Sequence, residues 1–350
     1  MSLKVEHLYI HIPYCSSKCN YCDFFSVITE SSEAYFDVLL EELKLYEFDF
    51  HLKTIYFGGG TPSIFKPKSY EVFFKKLKNL VDLSKVEEIT MELNPKDYSK
   101  DDFKGLYDIG VNRLSFGVQS FNQKHLLWLG RTHKSEDALN SINYAKDVGF
   151  DNISIDIIFG IPDQSLEDFA KDIDKALSLE LNHMSFYILT FYQNTPIYSY
   201  KERQKNEDEI AIFYELLREK LKDYTHYEIS NFAKESYQSK HNLGYWEYKN
   251  YLGIGAGAHS KVEPFIFSNP KDIDAYKENI LNKRIFLKAL NEEEHLKNKI
   301  MMGLRTIHGV EESTINIPKH LEGFFEKKHG RVFIKPDYWL VSNAIISEII

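Results

Sequence analysis

Cysteine is scarce in this 350-residue chain: there are three, Cys15, Cys19 and Cys22, all inside HIPYCSSKCNYCDF. Three thiols in one knot cannot build the disulfide framework of a secreted scaffold, and a cytoplasmic, reducing compartment fits best. Positive charge is in deficit, with 43 Lys and Arg against 52 Asp and Glu for a formal −9. The chain therefore has no overall field to gather nucleic-acid phosphates. Long apolar runs are lacking too. The longest, such as ISIDIIFGI, fall well short of the ~20 residues of a membrane-spanning helix, and Asp156 interrupts that one. The opening MSLKVEHLYIHIP has no basic segment followed by an apolar one, so no secretory signal is expected. Aromatic residues, by contrast, are plentiful, with 23 Tyr and 25 Phe in a composition 43% hydrophobic and 27% charged. That is the make-up of an ordered globular protein with material for one large domain or two modest ones.

Short β-branched or aromatic runs recur along the first half: LYIHI (8–12), TIYFG (54–58), EEITMEL (87–93), RLSFGV (113–118), NISIDIIFG (152–160) and HMSFYIL (183–189). Amphipathic stretches lie between them, at 32–46, 69–80, 135–149 and 165–179. Strands alternating with helix-length segments predict βα units and a parallel sheet. Several strand runs are apolar nearly throughout, as expected where both faces are covered. Six units in this length fall short of the ~250 residues of a full eight-unit barrel, so the expected fold class is α/β, a partial (β/α)6 barrel. The character changes after residue 200. The reading divides the chain into a barrel (1–200), an extension carrying HNLGYW (201–290), and a small α+β, winged-helix-like domain (291–350).

Clustered thiolates point to metal. A structural zinc site wants four ligands, and with no second cysteine pair His7 or His11 would have to complete it. A redox C-x-x-C pair of Cys19 and Cys22 leaves Cys15 without a task. A [4Fe–4S] cluster uses all three thiolates and leaves one iron open to a ligand that is not protein. That vacancy is useful for the same reason as the open position of catalytic zinc.

Other motifs have both a bland and a functional reading. GGGTPS (58–63) is either a tight strand-to-helix turn or a place where backbone comes close to a ligand. Glu92, in MELNP, is a solvated strand end or a hydrogen-bond acceptor for a ribose. Gln119 ends SFGVQSFN, and Arg131 sits in LGRTH. Asp156 lies within an apolar strand and needs a partner, for which Arg131 is a candidate. HNLGYW (241–246) either caps and packs locally or faces a flat ligand: His241 as an iron ligand, Tyr245 and Trp246 as apolar surface with polar tips. His259 is a weaker alternative ligand.

The spacing C-x3-C-x2-C, with Tyr21 just before the third cysteine, resembles the signature of the radical S-adenosylmethionine (SAM) superfamily. The ordered set YIHIPYCSSKCNYCDF, GGGTPS, MELNP, SFGVQSFN, LGRTH, DIIFGIP, YEISNFA, HNLGYW and GIGAGAHS is similar to its oxygen-independent coproporphyrinogen III oxidase-like branch, from Tyr9 to about Asn343. Within that branch it resembles the haem-chaperone members, the HemW type. Two departures set it apart from the coproporphyrinogen dehydrogenases: Phe24 stands where they carry a fourth cysteine, and the first strand is reached by Leu8 without their usual extension.

The resemblance implies a [4Fe–4S] cluster on Cys15, Cys19 and Cys22, with SAM on the open iron and cleaved to methionine and a 5′-deoxyadenosyl radical on reduction. It implies SAM contacts from Tyr9, Tyr21, Gly59, Gly60, Thr61, Glu92, Gln119, Arg131 and Asp156. It favours haem contacts from His241, Tyr245 and Trp246. The implied function is a haem chaperone that binds haem and transfers it to an acceptor protein. The alternatives are decarboxylation of coproporphyrinogen III to protoporphyrinogen IX, and a zinc-stabilised binding protein. Implied partners are haem, a haem-accepting protein and an electron donor, with no nucleic acid. A transient membrane contact and a dimer stay open.

Overall fold

The computed structural model describes residues 3–350. The first half alternates as the sequence predicts. It runs β1 (Lys4–Ile12), α1 (Ala34–Leu43), β2 (Asp49–Gly59), α2 (Pro67–Leu77), β3 (Glu88–Leu93), α3 (Lys100–Asp108), β4 (Arg113–Gln119), α4 (Gln123–Trp128), α5 (Ser135–Val148), β5 (Ile153–Phe159), α6 (Leu166–Leu177) and β6 (His183–Ile188). Helices α3 and α4 are additions to the sequence reading. The first contains Gly105 and the second has only six residues, so neither shows a sustained period. Helices α3 and α6 begin at serine capping boxes, Ser99 with Asp102 and Ser165 with Asp168.

Six parallel strands in the order β1-β2-β3-β4-β5-β6 form a partial barrel. Their outward residues are apolar and pack under the helices. Phe57 meets Tyr70 and Phe73 of α2, Phe116 meets Phe103 of α3, and Phe159 stacks on Phe169 of α6. The inward positions are another matter. They read His7, Tyr9 and His11 on β1; Thr54, Tyr56 and Gly58 on β2; Glu88, Thr90 and Glu92 on β3. Arg113, Ser115 and Gly117 follow on β4, Ser154 and Asp156 on β5, His183 and Ser185 on β6. The expectation of strands apolar on both faces is thus corrected. One face is apolar, and the barrel lumen is polar where closed barrels are usually filled with Val, Ile and Leu.

The second half extends the sheet at both edges. It comprises α7 (Glu207–Lys220), β7 (Thr225–Glu228), β8 (Asn231–Ala233), α8 (Lys240–Trp246), β9 (Tyr251–Ile254), β10 (His259–Val262), β11 (Phe265–Ser268), α9 (Ile273–Leu281) and β12 (Lys288–Ala289). β8 pairs antiparallel with β6, while β9 pairs parallel with β1. The chain must therefore cross from one edge of the open barrel to the other, and α8 lies on that crossing. The tail holds α10 (Glu292–Gly303), β13 (Val310–Glu311), β14 (Phe325–Lys328), β15 (Arg331–Ile334) and α11 (Ser342–Ser347). Its three strands form a separate antiparallel sheet over a small core around Trp339.

Candidate functional site

A cavity of about 700 Å³ opens at the C-terminal ends of the barrel strands, where the connecting loops converge. Its wall holds Cys15, Cys19 and Cys22, all unpaired and half-buried. The loop that carries them is fixed on three sides. At its base Val27 N–H donates to the Pro13 carbonyl (2.7 Å) and Cys15 N–H to the Val27 carbonyl (3.0 Å). At one side Asn20 donates through its backbone to Leu129 O and through Nδ2 to Trp128 O (2.8 Å). Behind it the buried His11 Nε2 donates to Phe25 O (2.9 Å), and Nδ1 accepts from Tyr9 OH (3.1 Å).

Those bonds bear on the zinc alternative. Both nitrogens of His11 are taken, and His7 Nδ1 is held by Thr54 Oγ1 at 2.8 Å. Among the described residues no three side chains of His, Cys, Asp or Glu converge as a lone metal ion requires. Three thiolates on three corners of an iron–sulfur cube stand further apart than ligands of one zinc.

The glycine motif has a physical reason at two positions. Gly59 has φ +109°, and a Cβ there would lie 2.6 Å from the His11 ring. A Cβ on Gly60 would meet Tyr14 O at 2.8 Å and Cys15 Sγ at 3.1 Å. Only glycine brings this backbone beside the thiol. Gln119 sits at a register shift of β4 with φ +67°, an unusual backbone for a side-chain-bearing residue, which turns its amide into the cavity.

Two carboxyls face inward from the walls. Glu92 accepts a bond from Tyr56 OH at 2.7 Å, and burial pushes its carboxyl up to about 7 against that bond. Asp156 is raised by burial as well and accepts from Ser115 Oγ at 3.3 Å and from Ser185. The expected Arg131–Asp156 pair does not form. Arg131 instead donates to Asn94 Oδ1 (2.7 Å), Gly117 O (2.8 Å) and Cys19 Sγ (3.3 Å), with its buried Nε left without a partner. Arg113, passed over in the sequence, lines the cavity floor fully buried, its Nε and Nη1 also without partners. An arginine opening an otherwise apolar strand was its one signal.

Of the sequence-selected residues, Tyr21, Gly59, Gly60, Thr61, Glu92, Gln119, Arg131 and Asp156 join the cysteines in the cavity wall. Tyr9 lies behind the wall, bonded to His11. The donor set fits the expected groups: three free thiols with a guanidinium beside one, a glycine turn at the thiols, and unpartnered donors and carboxyls deeper in.

Of HNLGYW, Asn242 reaches the cavity wall, whereas His241, Tyr245 and Trp246 do not line it. The motif forms α8, capped by Ser239, at the N-terminal ends of β1 to β3. His241 is fully buried, with Nδ1 2.6 Å from Thr54 Oγ1 and Nε2 2.7 Å from Tyr245 OH. Burial, with His7 and Arg113 nearby, holds its pKa well below the usual histidine value. The first turn of α8 rests on Glu88, whose carboxylate takes the N–H groups of Lys240 and His241, both at 3.0 Å. His241 therefore offers no free lone pair to a haem iron in this arrangement. Tyr245 is turned onto His241 and Tyr251, and Trp246 is half-buried at the helix end. His259 opens β10, an exposed position away from the cavity wall.

A family model for the radical SAM superfamily matches residues 9–176. Curated relatives include a "Heme chaperone HemW" of Lactococcus lactis, 37% identical over 319 residues that span 89% of this chain and 84% of that one. Another, of Bacillus subtilis, is 35% identical over 348 residues, 93% and 88% of the two chains. Among solved structures, coproporphyrinogen III oxidase (HemN) from Escherichia coli, a radical SAM enzyme, has the same fold. Its TM-score is 0.83 over 99% of this chain and 90% of that one, at 20% identity. The chain thus belongs to the radical SAM superfamily, with the haem chaperone HemW type.

Proposed function

We propose that this protein is a haem chaperone built on a radical SAM barrel. The observation that carries the reading is the 37% identity to a curated haem chaperone over 84% of that protein's length. Cys15, Cys19 and Cys22 hold a [4Fe–4S] cluster. Tyr21, Gly59, Gly60, Thr61, Glu92, Gln119, Arg131 and Asp156 line the space for SAM beside it. When bound, that pair supplies one-electron chemistry at the open iron. The chain's own part is positional. The His11 and Asn20 bonds hold the thiol loop, Gly60 brings backbone to Cys15, and Glu92 offers an acceptor to the ligand.

Phe24 supports the chaperone reading over the dehydrogenase. It lines the cavity at the position of the dehydrogenases' fourth cysteine and is 69% exposed, an apolar rim where the enzymes have a thiol. The protein works in the cytoplasm, receives electrons from a donor protein, binds haem and passes it to a haem-accepting protein. Among the described residues no helix is long and apolar enough to cross a membrane.

Haemin titration into anaerobically reconstituted protein, followed by mixing with a haem-free acceptor, tests the reading. One haem bound per chain and then lost to the acceptor is expected. A protein that binds no haem with its cluster intact overturns it.

A further inference from the structure

A continuous row of side chains joins two of the three thiols. Thr61 Oγ1 lies 3.3 Å from Cys15 Sγ. Asn94 Nδ2 donates to that same Thr61 oxygen at 3.2 Å. Arg131 Nη2 donates to Asn94 Oδ1 at 2.7 Å, and Arg131 Nη1 to Cys19 Sγ at 3.3 Å. Cys15 and Cys19 are thus the two ends of one chain, Cys15–Thr61–Asn94–Arg131–Cys19.

The direction of every bond in the row is fixed by chemistry. A guanidinium has donors only, so the Asn94 atom facing it must be the oxygen. The amide nitrogen then faces Thr61 and occupies a lone pair of its hydroxyl. The hydroxyl proton is left for Cys15, and a thiolate there is purely an acceptor. Both ends of the row therefore donate to sulfur, and Asn94, which touches neither sulfur, orients both donors. Its own place is secure. Its N–H donates to Ser63 Oγ at 3.2 Å, Ser63 Oγ donates to Asp97 at 2.6 Å, and the following Pro95 restricts its backbone.

We propose that Asn94 is a positioning residue that sets the reduction potential of the cluster by aiming the Thr61 hydroxyl and the Arg131 guanidinium at the Cys15 and Cys19 sulfurs. Hydrogen bonds to thiolate draw charge from sulfur and favour the reduced cluster, which carries one more electron. The row thereby makes the cluster easier to reduce. The proposal rests on the reading that the three cysteines hold that cluster.

The test is an EPR-monitored redox titration of reconstituted wild type, Asn94→Ala, Thr61→Val and the double variant, with iron and sulfide measured on each. Both single variants are expected to shift the midpoint to more negative potential. The double variant should shift it by less than the sum, because Asn94 acts partly through Thr61. Loaded clusters with an unchanged midpoint overturn the proposal. So do strictly additive shifts, which would mean that the two residues act separately. Should Asn94→Ala hold no cluster, Thr61→Val decides alone by the same criterion. Loss of iron from both variants assigns the row to cluster assembly and also overturns it. Absence of iron and sulfide from wild type is a different result, striking the cluster reading itself.

Discussion

Thr54 Oγ1 stands 2.6 Å from His241 Nδ1, joining strand β2 to a helix 187 residues further along the chain. The same oxygen lies 2.8 Å from His7 Nδ1. A hydroxyl has one proton, so it donates to one imidazole and accepts from the other, and the two rings must hold different tautomers at these nitrogens. The floor of the barrel is thereby locked by one oxygen. Thr54→Val keeps the shape and leaves two buried imidazole nitrogens unpaired. We expect it to lower stability by roughly 2–4 kcal/mol, read by urea unfolding. Iron content of the folded protein should be unchanged, since the thiol loop is at the other end of the strands.

Gly244 offers an independent check on the floor. Alanine is the better helix former by about 1 kcal/mol, so on propensity Gly244→Ala should stabilise α8. Its Cβ, however, would lie 2.5 Å from His7 Nε2, in a ring that Thr54 holds in place. Overpacking of this kind costs about 1–3 kcal/mol, and the net change expected is destabilising. A variant that melts above wild type would show that His7 gives way.

At the opposite end, Gly60→Ala sets a methyl 2.8 Å from Tyr14 O and 3.1 Å from Cys15 Sγ. The backbone carbonyl cannot yield as a side chain would, so the thiol loop must move. Reconstituted Gly60→Ala is expected to carry less than half the wild-type iron and sulfide, with circular dichroism unchanged.

Glu92 makes stability depend on pH in a stated direction. Burial holds its folded carboxyl at about 7, against an ordinary value of 4.5. Between those values the folded state keeps a proton that the unfolded chain has released. Stability from this group is therefore present below pH 4.5 and is lost as pH rises toward 7. In apoprotein, Glu92→Gln removes that dependence. The variant should gain on wild type by roughly 3 kcal/mol between pH 4.5 and 7.5. Equal pH profiles for the two proteins would mean that Glu92 is ionised at no cost.

Legibility differed sharply between the two ends of the barrel. The six strands and the cysteine loop are visible because the signals are local: β-branched runs, fixed cysteine spacing, glycines at a turn. The polar lumen is less so, because Tyr9, Tyr56 and His11 are amphipathic and read as part of an apolar run. The floor is not visible at all. His7, Thr54, Glu88 and His241 come from four distant segments, and nothing in HNLGYW alone says that its histidine meets a threonine on β2. Gly244 and the aromatic residues also leave α8 without a helical period in the sequence. Asn94 stood in plain view within MELNP, but only the three-dimensional row to Thr61 and Arg131 gives it a task.

The most direct test of the chaperone reading is anaerobic turnover. Reconstituted protein is supplied with SAM, a reductant and coproporphyrinogen III, and products are followed by mass spectrometry. The account predicts no decarboxylated tetrapyrrole while the cluster stays intact and haem is bound one per chain. Protoporphyrinogen formed over many turnovers would contradict it and make this chain an oxidase that works with Phe24 in place of a fourth cysteine.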